Sequence, residues 1–338
     1  FGADAVRFTL ASMAAMGRDI KLSKSRVAGY RNFATKLWNA ARFGEMNECV
    51  PVPGFDPASA TAPLNRWIVG ETARLREVVD AGLAEYRFND AAGALYAHVW
   101  GVFCDWYVEL SKPLLMGEDE ALKAETRATL AWALDQCLVM LHPFMPYVTE
   151  KLWGQIADRP KMLVHADWPD LSAEALADPA ADRRIGRLIA LIEAVRSVRA
   201  EMNVPPSARL PLLVLEADDE LRALAGGEAA LISRLARIEG IETVETAPKG
   251  AVTITLEGGA VALPLAGIVD GAAEKARLEK ALKKVEKEAD GIARKLDNPG
   301  FLAKAPEDVV EENRERLQEL RAEAARLSLA ASRAAELV

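Results

Sequence analysis

Apolar residues recur at spacings of three and four through the first half of the chain, and Pro or Gly residues separate the runs. This spacing is typical of amphipathic helices. It predicts five long helices, at 28–47, 62–86, 89–110, 118–141 and 146–156. Asn89, and Glu118 with Asp119, are predicted helix starts, because an acceptor or a negative charge satisfies free N–H groups there. Residues 1–168 are therefore predicted to form a helix bundle.

The pattern changes after a Pro- and Asp-rich segment at 167–179, which we interpret as a linker. Beyond it the sequence predicts a helix at 182–202 and a second helix at 219–238. Short alternating runs predict strands at 210–215, 243–245, 252–256 and 261–265. Gly258 and Gly259 predict a two-residue hairpin turn. Residues 180–270 are thus predicted to form a small α+β unit.

Two heptad seams occupy the end of the chain. The first passes through Leu278, Leu282, Val285, Ala289, Ile292 and Leu296. The second follows a break at 298–300 and passes through Leu317, Leu320, Ala324, Leu327, Ala331, Ala334 and Val338. Together they predict an antiparallel coiled-coil hairpin at 272–338, about 35 to 50 Å long. The predicted fold class is therefore mainly α, with three domains.

Composition narrows the class of protein. A length of 338 residues favours two or three domains, and no apolar run reaches the roughly 20 residues of a membrane span. Cys49, Cys104 and Cys137 are odd in number and widely separated, which favours a reducing compartment and argues against a metal site. We expect a cytoplasmic location and no membrane partner. Because the first residue is Phe1, we also expect the chain to be part of a longer polypeptide.

One segment is basic although the chain as a whole is acidic. The net charge is −8, yet residues 18–43 contain one acid, Asp19, and seven basic residues: Arg18, Lys21, Lys24, Arg26, Arg31, Lys36 and Arg42. Four aromatic residues, Tyr30, Phe33, Trp38 and Phe43, are interleaved with these charges. Cations hold phosphates, and unpaired bases stack on aromatic rings. The segment is therefore predicted to contact RNA.

Projected as one helix, residues 29–43 present two stripes. The first is apolar and suits a core: Tyr30, Phe33, Leu37, Ala40 and Ala41. The second contains Asn32, Lys36, Asn39 and Phe43, roughly 115° away. Phe43 alone would more often pack under a neighbouring helix. Its position beside Lys36, Asn39 and Arg42 favours RNA contact, because Asn reads base edges and Phe stacks on bases.

Evidence for catalysis is weak. Residues 21–25 imitate the Lys-Met-Ser-Lys-Ser loop of class I aminoacyl-tRNA synthetases, but they follow a segment that the loop should precede. No His-x-Gly-His or Gly-rich phosphate loop accompanies them, so no ATP site is expected at Lys21 and Lys24. Three isolated histidines favour packing or capping roles. Asp105 and Glu109 share a helical face, where a helix-to-helix or RNA-orienting role is favoured over an acid pair. No catalytic residue is predicted.

The predicted coiled-coil hairpin at 272–338, which we call the arm, has an excess of basic residues along its first helix. Residues 275–295 contain eight basic residues and four acids. Such charges commonly flank coiled-coil seams for solubility, but an excess of four is enough to follow a phosphate backbone.

Several blocks together resemble the carboxy-terminal part of bacterial valyl-tRNA synthetases. They lie at 2–8, 17–20, 29–43, 103–107, 142–146, 149–153, 196–202, 298–301 and 304–306. The resemblance implies a bundle that grips the anticodon and a coiled coil that touches the tRNA elbow. The anticodon candidates are Arg26, Arg31, Lys36, Asn39, Arg42 and Phe43. The elbow candidates are Lys287, Arg294 and Arg321.

The resemblance also implies what lies outside this chain. The parent enzyme would attach valine to its tRNA with ATP and Mg²⁺, whereas the chain itself is expected to bind valine tRNA without a cofactor, a metal or catalysis. We expect a monomer. Two alternatives remain at this point: an enzyme that uses Lys21 and Lys24 on ATP, or a structural module whose coiled coil mediates oligomerisation.

Overall fold

The computed structural model describes residues 1–14 and 22–337, and these group into two compact units, Phe1–Gly186 and Arg187–Val338. The predicted class is confirmed, because both units are built mainly from helices. The predicted division into three domains stays a prediction. No helix in the described parts of the chain is long and apolar enough to cross a membrane.

The first unit is a helical bundle. Its main helices are α1 (Ala3–Met13), α2 (Lys24–Met46), α3 (Pro63–Ala84), α4 (Phe88–Ala97), α5 (Val108–Met116), α6 (Glu120–Leu141) and α7 (Pro146–Ile156). A π-helical segment, His98–Tyr107, connects α4 directly to α5. Short 3-10 turns lie at Pro57–Ser59 and Leu163–His165, and the short helix α8 spans Ala173–Leu176. The predicted helices at 28–47, 62–86, 118–141 and 146–156 are confirmed to within a few residues.

The predicted helix starts have different outcomes. Asp119 caps α6, since its carboxylate accepts the N–H groups of Ala121 and Leu122 at 3.0 and 3.1 Å. The prediction for Asn89 is wrong. α4 begins one residue earlier, at Phe88, and the Asn89 amide donates to the Asp90 carboxylate instead.

A buried polar network holds the middle of the bundle together. Asn65, which is completely buried, donates to Glu125 at 2.9 Å and to Thr126 at 3.1 Å. Its carbonyl oxygen accepts the Tyr107 hydroxyl at 2.9 Å. Glu125 also accepts from Thr61, at 2.5 Å. The network therefore links α3, α6 and the π-helical segment in one relative position.

The segment interpreted as a linker is fastened to α3. The Trp168 indole donates to Asp80 at 2.8 Å, and the Ala173 N–H donates to Glu77 at 2.8 Å. Arg76 donates to the Leu171 carbonyl at 3.1 Å. The following helix, α9 (Pro179–Glu201), contains the boundary between the two compact units.

The second unit contains a four-stranded mixed sheet in the order β2-β1-β4-β3. Its strands are β1 (Leu210–Ala217), β2 (Ile238–Thr243), β3 (Ala251–Leu256) and β4 (Gly259–Pro264). β1 pairs with β2 in parallel, whereas β4 is antiparallel to both β1 and β3. Two short helices, α10 (Asp219–Gly227) and α11 (Ala229–Ala236), connect β1 to β2, as a parallel pair requires.

Three details of this unit correct the sequence prediction. The strand predicted at 243–245 lies at Ile238–Thr243, because its residues pair with β1. The helix predicted at 219–238 is split at Glu228. The hairpin turn is Glu257-Gly258, since Gly259 already pairs with Leu256. Both glycines are still needed, because a Cβ on either one would collide with the chain at 216–218.

The arm is a helical hairpin of α12 (Gly271–Leu296) and α14 (Glu307–Ala335), joined by the short helix α13 (Pro299–Leu302). At 1.5 Å per residue the two long helices measure about 39 and 44 Å. Leu278 and Leu320 are buried in the seam, as predicted. Ala330, which the predicted seam omits, is buried as well, and Val338 lies outside the described residues. Arg316 pairs with Glu288 at 2.9 Å across the two helices, which fixes their antiparallel register.

Candidate nucleic-acid interface

A chain of aromatic rings fixes α2 in the bundle. Phe8 of α1 contacts Tyr30 and Phe33 of α2, with ring centroids 4.8 and 5.3 Å apart. Phe33 contacts Tyr96 at 5.0 Å, and Tyr96 stacks on Trp100 at 5.6 Å. Because Phe33 is completely buried, α2 has little freedom to rotate about its axis. The opposite face of α2 is consequently held in a fixed direction.

The two predicted stripes of α2 are real. Phe33, Leu37, Ala40 and Ala41 are buried, whereas Asn39 is exposed and Lys36 and Phe43 are half-buried. At 100° per residue, Lys36, Asn39 and Phe43 fall within a sector of about 60°.

The basic candidates of α2 do not all join this stripe. Arg31 and Arg42 lie about 20° apart on an adjoining face, and Arg26 lies about 140° from Arg31. Arg42 lies about 60° from Asn39, whereas Arg31 and Arg26 each lie about 80° from the edge of the stripe, on opposite sides of it. α2 therefore brings Lys36, Asn39, Arg42 and Phe43 to neighbouring faces, with Arg26 and Arg31 farther away.

Lys36 is held by two partners. Its ammonium group forms an ion pair with Asp105 and lies 3.9 Å from the ring centroid of Trp100. Asp105 thus makes the helix-to-helix contact that the sequence favoured. An RNA phosphate must compete with Asp105 for Lys36, while Trp100 keeps the ammonium group at this position.

Phe43 lies next to a second charged pair. The Lys112 ammonium group is 5.5 Å from the centroid of the Phe43 ring and 2.5 Å from a Glu109 carboxylate oxygen. Lys112 on α5 therefore places a cation beside the only aromatic residue in the second stripe of α2. An aromatic ring with an adjacent cation suits a stacked base and its phosphate.

The other candidates on α2 are more accessible. Asn39 and Arg42 are exposed and make no hydrogen bond or ion pair within the described residues. The Arg31 guanidinium donates to Asn32 at 3.1 Å and lies 5.8 Å from the Phe1 ring. Arg26 is exposed at the first turn of α2, where its backbone N–H donates to the N-cap residue Ser23.

Sequence reasoning missed two residues of this surface, Trp100 and Lys112. Lys112 continues the spacing of Asp105 and Glu109 by three residues, so a helical projection was enough to find it. Trp100 gave no comparable signal, because the π-helical turn alters which residues share a face.

The elbow candidates are exposed on the arm. Lys287 and Arg294 project from α12 and Arg321 from α14. Arg294 donates to the Asp290 carbonyl within its own helix, at 3.1 Å. None of the three forms an ion pair with an acid among the described residues. All three cations are therefore accessible to a polyanion.

The other candidate chemistry finds no support in the geometry. His98 is buried, and burial together with nearby Arg74 lowers its pKa to about 3, so it is neutral. His142 forms a hydrogen bond with Thr149 at 2.8 Å. Burial raises the thiol pKa of Cys49 and of Cys104 to about 12.

A metal site needs a group of ligating side chains, and the ATP alternative needs Lys21 and Lys24. The described residues contain no group of three or more metal-ligating side chains. Of the two lysines considered for an ATP site, Lys21 lies outside the described residues and Lys24 is exposed at the start of α2. Arg18, from the predicted RNA-contacting segment, also lies outside the described residues.

Comparison with known families gives two matches. Residues 65–214 match the profile for the anticodon-binding domain of tRNA ligases, and residues 270–333 match the valyl-tRNA synthetase tRNA-binding arm. The chain carries the anticodon-binding domain and the tRNA-binding arm of a valyl-tRNA synthetase. The arm match coincides with α12 to α14. The anticodon-domain match begins after α2, so the candidates on that helix stay predictions.

Individual relatives agree with the two domain matches. The chain is 56% identical to a valine–tRNA ligase of Cereibacter sphaeroides and 57% identical to that of Ruegeria pomeroyi, over its whole length. It is 50% identical to the Caulobacter vibrioides enzyme over 99% of the chain. It spans 34%, 33% and 37% of these relatives' own lengths, so the chain corresponds to about one third of each.

A solved LeuRS–tRNA–LeuAMS complex from Agrobacterium radiobacter K84 also matches, over 73% of this chain and 29% of that chain. Its sequence identity to this chain is 14%, with a TM-score of 0.42.

Proposed function

We propose that this chain binds valine tRNA at two places, with the α2 surface on the anticodon and the arm on the elbow. The observation that carries the proposal is the presence of two tRNA-binding domains in one chain, each with accessible cations. The binding serves a valine–tRNA ligase, in which ATP and Mg²⁺ act on a part of the enzyme beyond these two domains. We place this tRNA binding in the cytoplasm.

The α2 surface, which we propose contacts the anticodon, consists of Lys36, Asn39, Arg42, Phe43 and Lys112. Phe43 offers a ring for base stacking, and the exposed Asn39 amide offers one donor group and one acceptor group to a base edge. Arg42 holds a phosphate, and Lys36 and Lys112 join it once phosphates replace their partners Asp105 and Glu109. Base reading and phosphate contact are therefore combined on one side of α2.

The arm contributes affinity rather than base reading. Its accessible candidates, Lys287, Arg294 and Arg321, are long cationic side chains on rigid helices. Such groups contact phosphate and sugar, which position an RNA without reading its sequence. The elbow is built from folded loops, whose backbone is a suitable target for these cations.

The test measures the affinity of two RNAs, intact valine tRNA and its anticodon stem-loop, for two variants of the whole chain. Phe43→Ala should weaken binding of both intact valine tRNA and its isolated anticodon stem-loop. The triple variant Lys287→Ala, Arg294→Ala, Arg321→Ala should weaken binding of intact tRNA alone. Equal loss of stem-loop binding in the triple variant would contradict the division of labour.

The oligomerisation alternative makes a different prediction. Because α12 pairs with α14 of the same chain, the seam is already filled. We propose a monomer, and the mass measured by light scattering during size-exclusion chromatography checks it. A dimer that breaks up in the Leu320→Glu variant would support the alternative.

A further inference from the structure

Four arginines lie close to the starts of β1 and β2 in the second unit: Arg196, Arg199, Arg209 and Arg237. Arg196 and Arg199 lie one turn apart on α9. Arg209 directly precedes β1, and Arg237 lies between α11 and β2. The Leu210 N–H donates to the Arg237 carbonyl, so Arg209 and Arg237 are neighbours. Arg199 and Arg237 donate to carbonyls of the loop 205–209, and Arg209 is the last residue of that loop. We call the four residues the arginine cluster.

Arg199 is the buried centre of the cluster. Only 8% of the residue is exposed, and its Nη2 donates to the carbonyls of Pro205 and Ala208 at 3.3 and 2.8 Å. Its Nη1 has no hydrogen-bond partner within the described residues. The charge of Arg199 is therefore held by neutral carbonyl groups alone.

Arg237 and Arg209 add charge close to the starts of the same two strands. Arg237 has a left-handed backbone with φ of 56°, which an L residue adopts at a cost, and its Nη1 donates to the Pro206 carbonyl at 2.6 Å. Arg209 is exposed and makes no hydrogen bond or ion pair within the described residues. Arg196 donates to the Leu235 carbonyl at the end of α11.

Arg187, in the same unit, is paired with acids in the way that Arg199 is not. Arg187 is surrounded by three carboxylates, those of Asp218, Glu220 and Glu257, at 3.4, 2.8 and 3.1 Å. These partners raise the pKa of Arg187, whereas burial and the nearby charge of Arg237 lower the pKa of Arg199.

Two acids lie close in sequence to Arg199 and Arg237 but form no ion pair with them. Glu201 forms an ion pair with Arg333 at 2.5 Å and accepts from Ser197. Glu239 lines a groove with Ser233 and Thr243 on the side of α11 and β2. Arg199, Arg209 and Arg237 thus form no ion pair with any carboxylate among the described residues.

A structural role explains part of this arrangement. Cations near the C-terminus of a helix stabilise its free carbonyls, and Arg196 does this for α11. Loop stabilisation explains Arg199 and Arg237 equally well. It does not explain Arg209, which holds no carbonyl, or why Arg199, Arg209 and Arg237 all lack an ion pair within the described residues of a chain of net charge −8.

We propose that the arginine cluster binds phosphates of the tRNA backbone, as a contact in addition to the α2 surface and the arm. The proposal rests on the proposed tRNA-binding function. Guanidinium groups match phosphate oxygens through paired donors, and a field from three uncompensated charges attracts an anion to the accessible members. Arg209 makes direct contact, while Arg199 and Arg237 set the shape of the loop and supply charge behind it.

The test measures binding of a valine tRNA transcript to the whole chain between 50 and 200 mM salt. Each phosphate contact contributes about 0.7 to 0.9 to the slope of log affinity against log salt. Losing one contact therefore changes the affinity ratio across this fourfold range by about 2.6- to 3.5-fold. Arg209→Gln should show this change, Arg209→Glu a larger one, and Arg209→Lys should retain the wild-type slope.

The matched controls are Arg222→Gln and Arg222→Glu. Arg222 is exposed in the same unit and pairs with Asp219 at 3.3 Å, so these variants change the net charge equally. We expect them to bind like the wild type. Equal slopes for the Arg209 and Arg222 variants would overturn the proposal.

The result for Phe43→Ala separates the two proposals. If Phe43→Ala weakens binding while every Arg209 variant binds like its Arg222 counterpart, the tRNA-binding function stands and the arginine cluster proposal falls. If the wild-type chain fails to bind the transcript at 50 mM salt, both proposals fall.

Discussion

Replacing Asp105 by Asn should strengthen RNA binding at the α2 surface. Asp105 holds the Lys36 ammonium group in an ion pair, and the two side chains are 48% and 22% exposed. Pairs with this exposure contribute about 0 to 1 kcal/mol, because water and salt screen them. Freed from the carboxylate, Lys36 can turn to a phosphate without losing that energy. The gain is at most about 1 kcal/mol, or roughly fivefold in affinity.

The assay is a titration of the whole chain with the anticodon stem-loop of valine tRNA at constant, low salt. Lys36→Ala should weaken binding, so the two substitutions should act in opposite directions. Asp90→Asn is the matched control. Asp90 is exposed on α4 and pairs with Arg87 at 3.4 Å, so its loss changes the net charge equally without freeing Lys36.

Three outcomes would refute this reasoning. Equal tightening of binding by Asp105→Asn and Asp90→Asn would show a general charge effect. Asp105→Asn weakening the complex would show that the carboxylate itself orients the RNA. Lys36→Ala leaving the affinity unchanged would remove Lys36 from the interface altogether.

Other predictions concern stacking, stability and pH. Phe43→Ala should weaken stem-loop binding by about 1 to 3 kcal/mol, the range for a base stacked on an aromatic ring, while thermal melts show the bundle still folded. Asn65→Ala should lower the free energy of unfolding by about 2 to 4 kcal/mol in urea, because three hydrogen bonds are lost and the buried Tyr107 hydroxyl loses its acceptor. The control is Asn89→Ala, since Asn89 is only half-buried and makes one side-chain hydrogen bond, to Asp90. Although burial raises the pKa of Glu125, four donated hydrogen bonds outweigh it and hold that pKa below the ordinary 4.5. Its stabilising contribution is therefore present above pH 4.5 and lost as the pH falls through the folded-state pKa, so Glu125→Gln should show a weaker loss of stability in acid.

Features governed by local periodicity were predictable from the sequence. The heptad spacing from Leu278 to Leu296 fixes which side of α12 faces α14, and Leu278 is buried as expected. The two stripes of α2 follow from the 3.6-residue period in the same way. Leu37 is buried and Asn39 is exposed because the helix turns by about 100° per residue.

Features governed by pairing between distant residues were not predictable. Lys36 and Asp105 are 69 positions apart, and the π-helical segment decides which side chain faces α2. The strand Ile238–Thr243 was displaced in the prediction because its parallel partner, β1, defines its limits. The arginine cluster was not predictable for the same reason, since the pairing of β1 and β2 brings Arg199 and Arg237 to the same loop.

Binding of valine tRNA and of a non-cognate tRNA to the whole chain, measured across a salt series, tests the central claim most directly. Phosphate contacts make affinity fall with salt for both RNAs, whereas base reading makes it depend on the anticodon. The account predicts salt-sensitive binding of both RNAs with a preference for valine tRNA that persists as salt rises. Equal affinity for the two RNAs at every salt concentration would contradict anticodon reading by this surface.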